Sequence, residues 1–186
     1  YDNLSAGSMS NLAEAGDRVR FVRGDVRSYD GLLDASEKCD VAFHLAAMVS
    51  VPQTVKEPLD SCQINEAGSL NVFEACRRNK VGRVVFSSSC AVYGDAPGLP
   101  KRENMIPKPQ SPYAVQKLAG EYYARTYNDL YGLETVCLRY FNVFGPRQDP
   151  SSPYSGVISI FMTKAARRQV PVIYGDGLQT RDFIFV

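Results

Sequence analysis

Short runs of β-branched and aromatic residues alternate along the chain with longer segments in which apolar residues recur at helical spacing. The pattern predicts strands at 19–23, 41–47, 83–89 and 133–142, and two short closing strands in the sequences VPVIYG and RDFIFV. Helices are predicted at about 59–79, 112–131 and 156–169. This alternation is typical of the α/β class with a doubly wound, Rossmann-like parallel sheet, in which the strand at 41–47 should be buried.

The helix predicted from Pro112 begins with the sequence SPYAVQK. Ser111 can accept a hydrogen bond from a free amide of the first turn, and proline at the first helical position loses no hydrogen bond. Tyr113 and Lys117 are four residues apart, so their side chains project from one face near the positive end of the helix dipole. We expect the ammonium group to lower the pKa of the phenol, which suits a general acid/base. The alternative is an ordinary solvated helix face.

Ligands of doubly wound folds bind beyond the carboxyl ends of the strands. The predicted strand ends carry small or hydrogen-bonding residues, at Gly24–Asp25, Leu45–Ala47, Ser87–Ser89 and Phe141–Asn142. The helix with Tyr113 and Lys117 follows the third of these ends. The combination of strand ends and tyrosine–lysine pair, more than the pair alone, indicates a binding crevice.

The composition excludes several classes of protein. With 186 residues, 45% hydrophobic and 22% charged, the chain suits one soluble globular domain, and a net charge of +1 offers no basic surface for nucleic acid. No apolar run reaches the roughly 18 residues of a membrane span. Five scattered cysteines without a C-x-x-C pair fit reduced thiols in the cytoplasm. The single histidine, His44, lies in an apolar run, so we predict a structural role for it and no histidine-based metal site.

The first residues, YDNLSAG, place an acid and an asparagine where the pattern indicates the end of a strand. Dinucleotide-binding folds use such an acid on the adenosine ribose, about 20 residues after a glycine-rich phosphate loop. No G-x-G-x-x-G sequence occurs in the chain. Asp2 and Asn3 therefore form either a ribose site whose phosphate loop lies upstream of residue 1, or an ordinary turn.

Eight segments resemble, in order, those of the extended short-chain dehydrogenase/reductases, and within them the NAD-dependent nucleotide-sugar 4-epimerases. They are YDNLSAG, GDVRS, FHLAA, NVFEA, FSSSCAVYG, SPYAVQKLAGE, LRYFNVFGPRQDP and GDGLQTRDFIFV, and they cover essentially the whole chain. The combination of Y-x-x-x-K with SSSCAVYG and RYFNVFGP is highly specific. It favours the catalytic interpretation of Tyr113 and Lys117 and the ribose interpretation of Asp2.

The resemblance implies a role for each matching residue. Tyr113 would be the catalytic base, Lys117 would favour its phenolate and hold the nicotinamide ribose, and Ser89 would pass or position the proton between the sugar O4 and Tyr113. The residues that would bind NAD, besides Tyr113 and Lys117, are Asp2, Asn3, Asp25, Val26, Leu45, Ala46, Ala47, Asn65 and Phe141. The residues that would bind the substrate, besides Ser89 and Tyr113, are Asn142 and Arg181 at its diphosphate.

The implied reaction interconverts UDP-glucose and UDP-galactose by transient oxidation at C4, and UDP-N-acetylglucosamine is the alternative substrate. Related dehydratases carry Asp-Glu after the strand's Thr, whereas this chain has Ser89–Cys90–Ala91, which argues against a dehydratase. A UDP-glucuronate decarboxylase is less favoured. The alternative from another class is a non-catalytic nucleotide-binding relative or an inactive fragment.

Compared with the resembled family, the chain is expected to be a fragment without the first strand, the phosphate loop, the first helix and most of the substrate domain. We therefore expect a partial NAD-binding domain at 1–145 and the start of a nucleotide-sugar-binding region at 146–186. Without the first strand, the segments at 19–23 and 41–47 lack a joining strand, and apolar edges are left bare. The complete protein is expected to be a cytoplasmic homodimer, with Tyr122 and Leu130 as candidate contacts or, equally, core residues.

Overall fold

The structure is a computed structural model that describes residues 1–148 and 156–186. These residues form two compact units, Tyr1–Arg139 and Tyr140–Val186. The predicted domain boundary after residue 145 stays a prediction. Residues 149–155, within the sequence GPRQDPSSPYSGVI that resembles the epimerases, lie outside the described residues.

The larger unit alternates helices with the strands of one sheet. Its elements are α1 (Tyr29–Ala35), β1 (Val41–His44), α2 (Val51–Lys56), α3 (Pro58–Cys62), α4 (Gly68–Arg78), β2 (Arg83–Ser89) and α5 (Pro112–Tyr131), followed by β3 (Glu134–Tyr140) at the boundary. The strand order is β1–β2–β3, and β1 pairs in parallel with β2, from Val41 opposite Arg83 to His44 opposite Phe86. The α/β class with parallel strands is confirmed.

Capping side chains, proline and glycine set the ends of the helices. Ser111 Oγ accepts a hydrogen bond from Ala114 N–H at 3.2 Å, and Gly132 ends α5 at φ 70°, a conformation that favours glycine. The helix predicted at 59–79 instead starts at Pro58, which can occupy the first turn without losing a hydrogen bond. A π-helical turn, Gln63–Ala67, joins α3 to α4.

The core of the larger unit lies between β2 and the helices α4 and α5. Phe73, Phe86 and Ala124 are completely buried, and the rings of Phe73 and Phe86 lie 5.9 Å apart. Gly120 allows α5 to approach β2, because a Cβ at this position would lie 2.4 Å from the Phe86 ring. This close approach places the first turns of α5 beside the end of β2.

The predicted strand at 19–23 is reduced to one parallel bridge between Asp2 and Arg23. The bridge is held by Asp2 N–H to Val22 O at 3.2 Å and by Gly24 N–H to Asp2 O at 3.1 Å. The prediction of a full strand is wrong, because a strand is maintained by a ladder along its length and this segment pairs at a single position with the first residues.

β1 is less buried than predicted. Successive side chains of a strand point to opposite faces, and Val41 and Phe43 are 44% and 69% exposed while His44 is 4% exposed. A cleft of about 400 Å³ lies between the first residues and β1 and is lined by Tyr1, Phe43 and Cys76, among others. The prediction of a buried strand is wrong for this face, and the predicted bare apolar edge is confirmed, since β1 is an outer strand of the described sheet.

The smaller unit contains β4 (Asn142–Phe144), α6 (Val157–Ala166) and β5 (Phe183–Phe185). β4 and β5 pair in parallel, with Asn142 opposite Phe183. The strand predicted in VPVIYG is wrong: the segment is irregular, and Val170 is 86% exposed, without a ladder to hold it in the described part of the chain.

The cysteines form no disulfide bonds: all five are free thiols, as predicted. Within residues 1–148 and 156–186, no helix combines the length and the apolar character that a membrane crossing requires.

Candidate active site

The predicted catalytic residues meet where the start of α5 passes the end of β2. Tyr113 is hydrogen-bonded to Ser89, the last residue of β2. Lys117 is buried, and its Nζ donates a hydrogen bond to Ser87 O at 2.7 Å. The same Nζ lies 5.8 Å from the centroid of the Tyr113 ring. The structure therefore brings Ser89, Tyr113 and Lys117 together, as the sequence predicts.

Ser89 has a second partner, which leaves its hydroxyl hydrogen available. Its Oγ accepts a hydrogen bond from Ala91 N–H at 3.2 Å and caps the 3-10 helix Cys90–Tyr93. A hydroxyl group has one hydrogen to donate in addition to its two acceptor sites, so Ser89 can donate to the oxygen of Tyr113. A hydrogen bond in this direction favours the phenolate over the phenol.

Burial, and not the neighbouring ammonium group, dominates the titration of the dyad. Burial raises the pKa of Tyr113, and the hydrogen bond from Ser89 opposes this rise only in part. Burial also lowers the pKa of Lys117 to about 8. The prediction that Lys117 lowers the pKa of Tyr113 is wrong for this chain, because the phenolate loses its hydration and the lysine directs its Nζ to a backbone carbonyl.

His44 is structural, as predicted. Its Nε2 lies 2.9 Å from Ser69 Oγ, and Ser69 Oγ donates its hydrogen to Asn65 O at 2.5 Å. His44 Nε2–H must therefore be the donor to Ser69, which fixes the tautomer. Burial, with a smaller effect of the charge on Lys117, lowers the pKa of His44 to about 3, so the ring stays neutral.

The residues predicted at the adenosine end lie together around the Asp2–Arg23 bridge. Asn3 Nδ2 donates to Asp25 Oδ2 at 3.0 Å. The carboxylate of Asp2 is exposed, and Leu4 N–H orients it by donating to Oδ1 at 2.6 Å. An oriented, exposed carboxylate is a suitable acceptor for the hydroxyl groups of a ribose.

The carboxylate of Asp25 is more fully occupied than the sequence indicates. Its Oδ1 accepts from the backbone N–H of Arg27 and from Arg27 Nε, both at 2.9 Å, and its Oδ2 accepts from Arg27 Nη2 at 2.8 Å and from Asn3. These hydrogen bonds hold the pKa of Asp25 far below its usual value. Since an ionised carboxylate offers about four acceptor sites, an adenine amino group would have to displace one of these donors.

The loop that follows β1 carries the predicted residues Leu45, Ala46 and Ala47. Leu45 is 61% exposed, whereas Asn65 in the π-helical turn is 2% exposed. The Asn65 side chain pairs with the backbone of Met48, accepting from its N–H at 2.7 Å and donating to its carbonyl at 3.1 Å. Asn65 therefore holds this loop in place. Val26, at the other predicted adenine contact, is buried, and its carbonyl accepts from Asn71 Nδ2 at 3.0 Å.

The residues predicted at the substrate diphosphate, Asn142 and Arg181, lie in the smaller unit, together with Phe141. Asn142 begins β4 and donates to Asp182 O from its backbone N–H at 3.1 Å and from Nδ2 at 3.0 Å. Arg181, the neighbour of Asp182, is exposed, and its Nη1 donates to Thr180 O at 2.8 Å. The fold of this unit thus brings Asn142 and the Arg181 segment together.

Sequence reasoning missed a partly buried ion pair at Ser88, the residue before Ser89. Arg139 donates to both oxygens of Glu121, at 2.9 and 2.7 Å, and Ser88 Oγ donates to Glu121 Oε1 at 2.5 Å. The guanidinium carbon of Arg139 lies 4.8 Å from the centroid of the Tyr93 ring. The spacing of Glu121, one turn after Lys117, indicates that both residues lie on the same face of α5 and could have pointed to this ion pair.

A parallel sheet with a serine at one strand end and a Y-x-x-x-K helix beside it defines a Rossmann-like class of NAD-dependent protein. The chain belongs to the NAD dependent epimerase/dehydratase family, whose model matches residues 2–186.

Relatives within this family match the chain over nearly its whole length. The UDP-glucose 4-epimerase of Mycolicibacterium smegmatis is 42% identical over an alignment 190 residues long, which covers 100% of this chain and 60% of the relative. The structure of the UDP-N-acetylglucosamine 4-epimerase from Methanobrevibacter ruminantium in complex with UDP-N-acetylmuramic acid has a TM-score of 0.94 at 47% identity, covering 99% of this chain and 59% of that one. The structure of the Thermus thermophilus UDP-glucose 4-epimerase complex with NAD has a TM-score of 0.90 at 38% identity, and the match covers 99% of this chain and 61% of that one. The chain thus spans about 60% of the length of these relatives.

Proposed function

We propose that the protein is an NAD-dependent UDP-sugar 4-epimerase in which Tyr113 is the catalytic base. The observation that carries this proposal is the meeting of three side chains at the end of β2: Tyr113 is hydrogen-bonded to Ser89, and Lys117 Nζ lies 5.8 Å from the centroid of the Tyr113 ring. Removing a proton from a sugar hydroxyl requires a base within hydrogen-bonding reach of it, and the strand ends are where ligands of this fold bind.

The chain's own side chains can hold and move a proton at the sugar O4. Ser89 donates to the oxygen of Tyr113 and so supports the phenolate that accepts the proton. Lys117 is protonated below its pKa of about 8 and then contributes a positive charge 5.8 Å from the Tyr113 ring. NAD, when bound, supplies the hydride acceptor for C4 and a positive charge that would offset the effect of burial on Tyr113.

The residues present fit NAD, because an oriented, exposed carboxylate and a buried lysine lie within one compact unit. Asp2 and Asn3 would hold the adenosine ribose, and Lys117 the nicotinamide ribose. The remaining cofactor contacts would come from Asp25, Val26, Leu45, Ala46, Ala47 and Phe141, with Asn65 acting on the loop that it holds.

In the substrate, the diphosphate group would be held by Asn142 and Arg181. A guanidinium group matches phosphate geometry with two parallel hydrogen bonds, and Arg181 is exposed. UDP-glucose and UDP-galactose are our first choice, since two of the relatives above are named UDP-glucose 4-epimerases. UDP-N-acetylglucosamine is the second candidate, supported by the 47% identity to an epimerase of that name.

Elimination of water, the dehydratase reaction, is less well supported. It would need a carboxylate beside Tyr113, where this chain has Ser89, Cys90 and Ala91. A purely binding role is disfavoured because Ser89, Tyr113 and Lys117 are all retained and lie together at the end of β2.

We also propose that the complete protein is a cytoplasmic homodimer. Helices α2 and α3 pack against α5, and their outer surface carries apolar side chains; those exposed are Val55, Leu59, Val115, Tyr122 and Leu130. Tyr122 and Leu130 are 61% and 68% exposed, so the alternative that they are core residues is wrong. Exposed apolar side chains on neighbouring helices are typical of an interface, and free thiols are typical of a reducing compartment.

The test is turnover of UDP-galactose and UDP-N-acetylgalactosamine by the protein at its full native length with NAD. Tyr113→Phe should lower kcat by about 10²–10⁴-fold, the usual contribution of a general base, and leave the protein folded. Tyr123→Phe, on the same helix and packed against the core, is the matched control and should stay active. Full activity of Tyr113→Phe would refute the proposal, and the better sugar identifies the substrate.

A further inference from the structure

A continuous chain of hydrogen bonds crosses the interior from the loop after β1 to the start of α3. Met48 N–H donates to Asn65 Oδ1 at 2.7 Å, and Asn65 Nδ2 donates to Gln116 Oε1 at 2.9 Å. Gln116 Nε2 then donates to Ser61 Oγ at 2.9 Å, and Ser61 Oγ donates to Pro58 O at 2.9 Å.

The two ends of this series of hydrogen bonds fix its donor-to-acceptor direction. A backbone N–H can only donate and a backbone carbonyl can only accept, so Met48 and Pro58 determine how the two amides between them are oriented. The side chains of Ser61, Asn65 and Gln116 are nearly inaccessible, with exposures of 0%, 2% and 4%. In such a low-dielectric interior, reversal of either amide would leave buried polar groups unpaired.

This series of hydrogen bonds joins two parts of the proposed site, the loop after β1 and the first turns of α5. Asn65 also donates to Met48 O at 3.1 Å, so it clamps the loop that carries Leu45–Ala47. Gln116 is the residue directly before Lys117, in the first turns of α5. We propose that Gln116 is a positioning residue: through Asn65 it sets the NAD-binding loop after β1 relative to Tyr113 and Lys117. This inference rests on the proposed function.

A role as core filler alone would not require glutamine. An apolar side chain of similar length would occupy the same volume without the cost of burying an amide. The hydrogen bonds of Gln116 connect residues 51 and 55 positions away in sequence, on two different segments of the 58–67 region. They add orientation, which a packed methylene chain does not supply.

The experiment is NAD titration by calorimetry on the protein at its full native length, unsubstituted and as Gln116→Met. Methionine keeps the length and loses both hydrogen bonds, so the Kd for NAD should rise about tenfold, because the buried Asn65 amide that holds the loop loses its acceptor on α5. The control is Thr54→Val, which removes a completely buried hydroxyl that donates within its own helix to Val51 O. Thr54→Val should lower the melting temperature and leave the Kd unchanged.

Gln116→Glu supplies a second measurement, which also serves if Gln116→Met does not fold. A protonated glutamic acid can donate to Ser61 and accept from Asn65 as glutamine does, whereas a glutamate cannot donate. Relative to the unsubstituted protein, its NAD affinity should be restored at acidic pH and lost as the pH rises. An unchanged Kd in Gln116→Met, or a pH-independent ratio in Gln116→Glu, would overturn the inference alone. Absence of NAD binding by the unsubstituted protein would overturn the proposed function and this inference together.

Discussion

Lys117 should make the fold less stable at neutral pH than a neutral residue would. Its pKa is lowered from 10.5 to about 8 because the ammonium group is buried. The unfolded chain therefore binds the proton more tightly than the folded chain. Between pH 8 and 10.5 the unfolded state carries more protons, so stability rises with pH through this window and is lowest below it.

The size of the effect follows from the two pKa values. One pKa unit corresponds to about 1.4 kcal/mol, so the difference between 10.5 and about 8 corresponds to about 3 kcal/mol. Lys117→Met removes this penalty but leaves Ser87 O without the Nζ donor at 2.7 Å, which costs about 1–3 kcal/mol. At pH 7 the free energy of unfolding of the variant should therefore equal that of the unsubstituted protein or exceed it by up to about 2 kcal/mol. Above pH 10.5 the free energy of unfolding of the variant should be lower by about 1–3 kcal/mol.

The assay is urea unfolding of both proteins at pH 7 and at the highest pH where the fold persists, with the difference in unfolding free energy as the readout. Taking the difference cancels the titration of tyrosines and cysteines, which is common to both. Lys56→Met, at an exposed position of α2, is the control for the loss of a lysine at the surface. A difference between Lys117→Met and the unsubstituted protein that stays constant over this range would show that the lysine is not desolvated as described.

Two further substitutions test the packing and the assembly. Gly120→Ala should lower the free energy of unfolding by about 1–3 kcal/mol, since its Cβ would meet the completely buried Phe86 ring at 2.4 Å; an unchanged urea midpoint would contradict the close approach of α5 and β2. Tyr122→Glu should convert the proposed dimer to a monomer in sedimentation equilibrium, whereas Ile106→Glu, at an exposed loop position, should not; a dimeric Tyr122→Glu would exclude this helix face as the interface.

Features set by local chemistry could be predicted from the sequence. Ser111, Pro112 and Gly132 fix both ends of α5 through interactions within one helical turn, and the spacing of Tyr113 and Lys117 then follows from helix geometry. The convergence of this helix on the strand end at Ser89 followed from the resemblance and from the rule for ligand sites in such sheets.

Features that depend on distant partners could not be predicted. The segment at 19–23 has a strand-like composition, but its pairing depends on which strands lie beside it. The pKa of Tyr113 depends on how deeply the ring is buried, which no spacing reveals. The hydrogen bond between Asn65 and Gln116 joins residues 51 positions apart, and neither residue type indicates its partner.

The exposed side of β1 has a consequence for residues 1–186 when they are produced by themselves. An outer strand of the described sheet offers unpaired N–H and C=O groups as a template for another strand, and the exposed Phe43 adds an apolar surface to that edge. Copies of this segment should therefore associate through β1, on the opposite side of β2 from β3, unless another strand covers that edge.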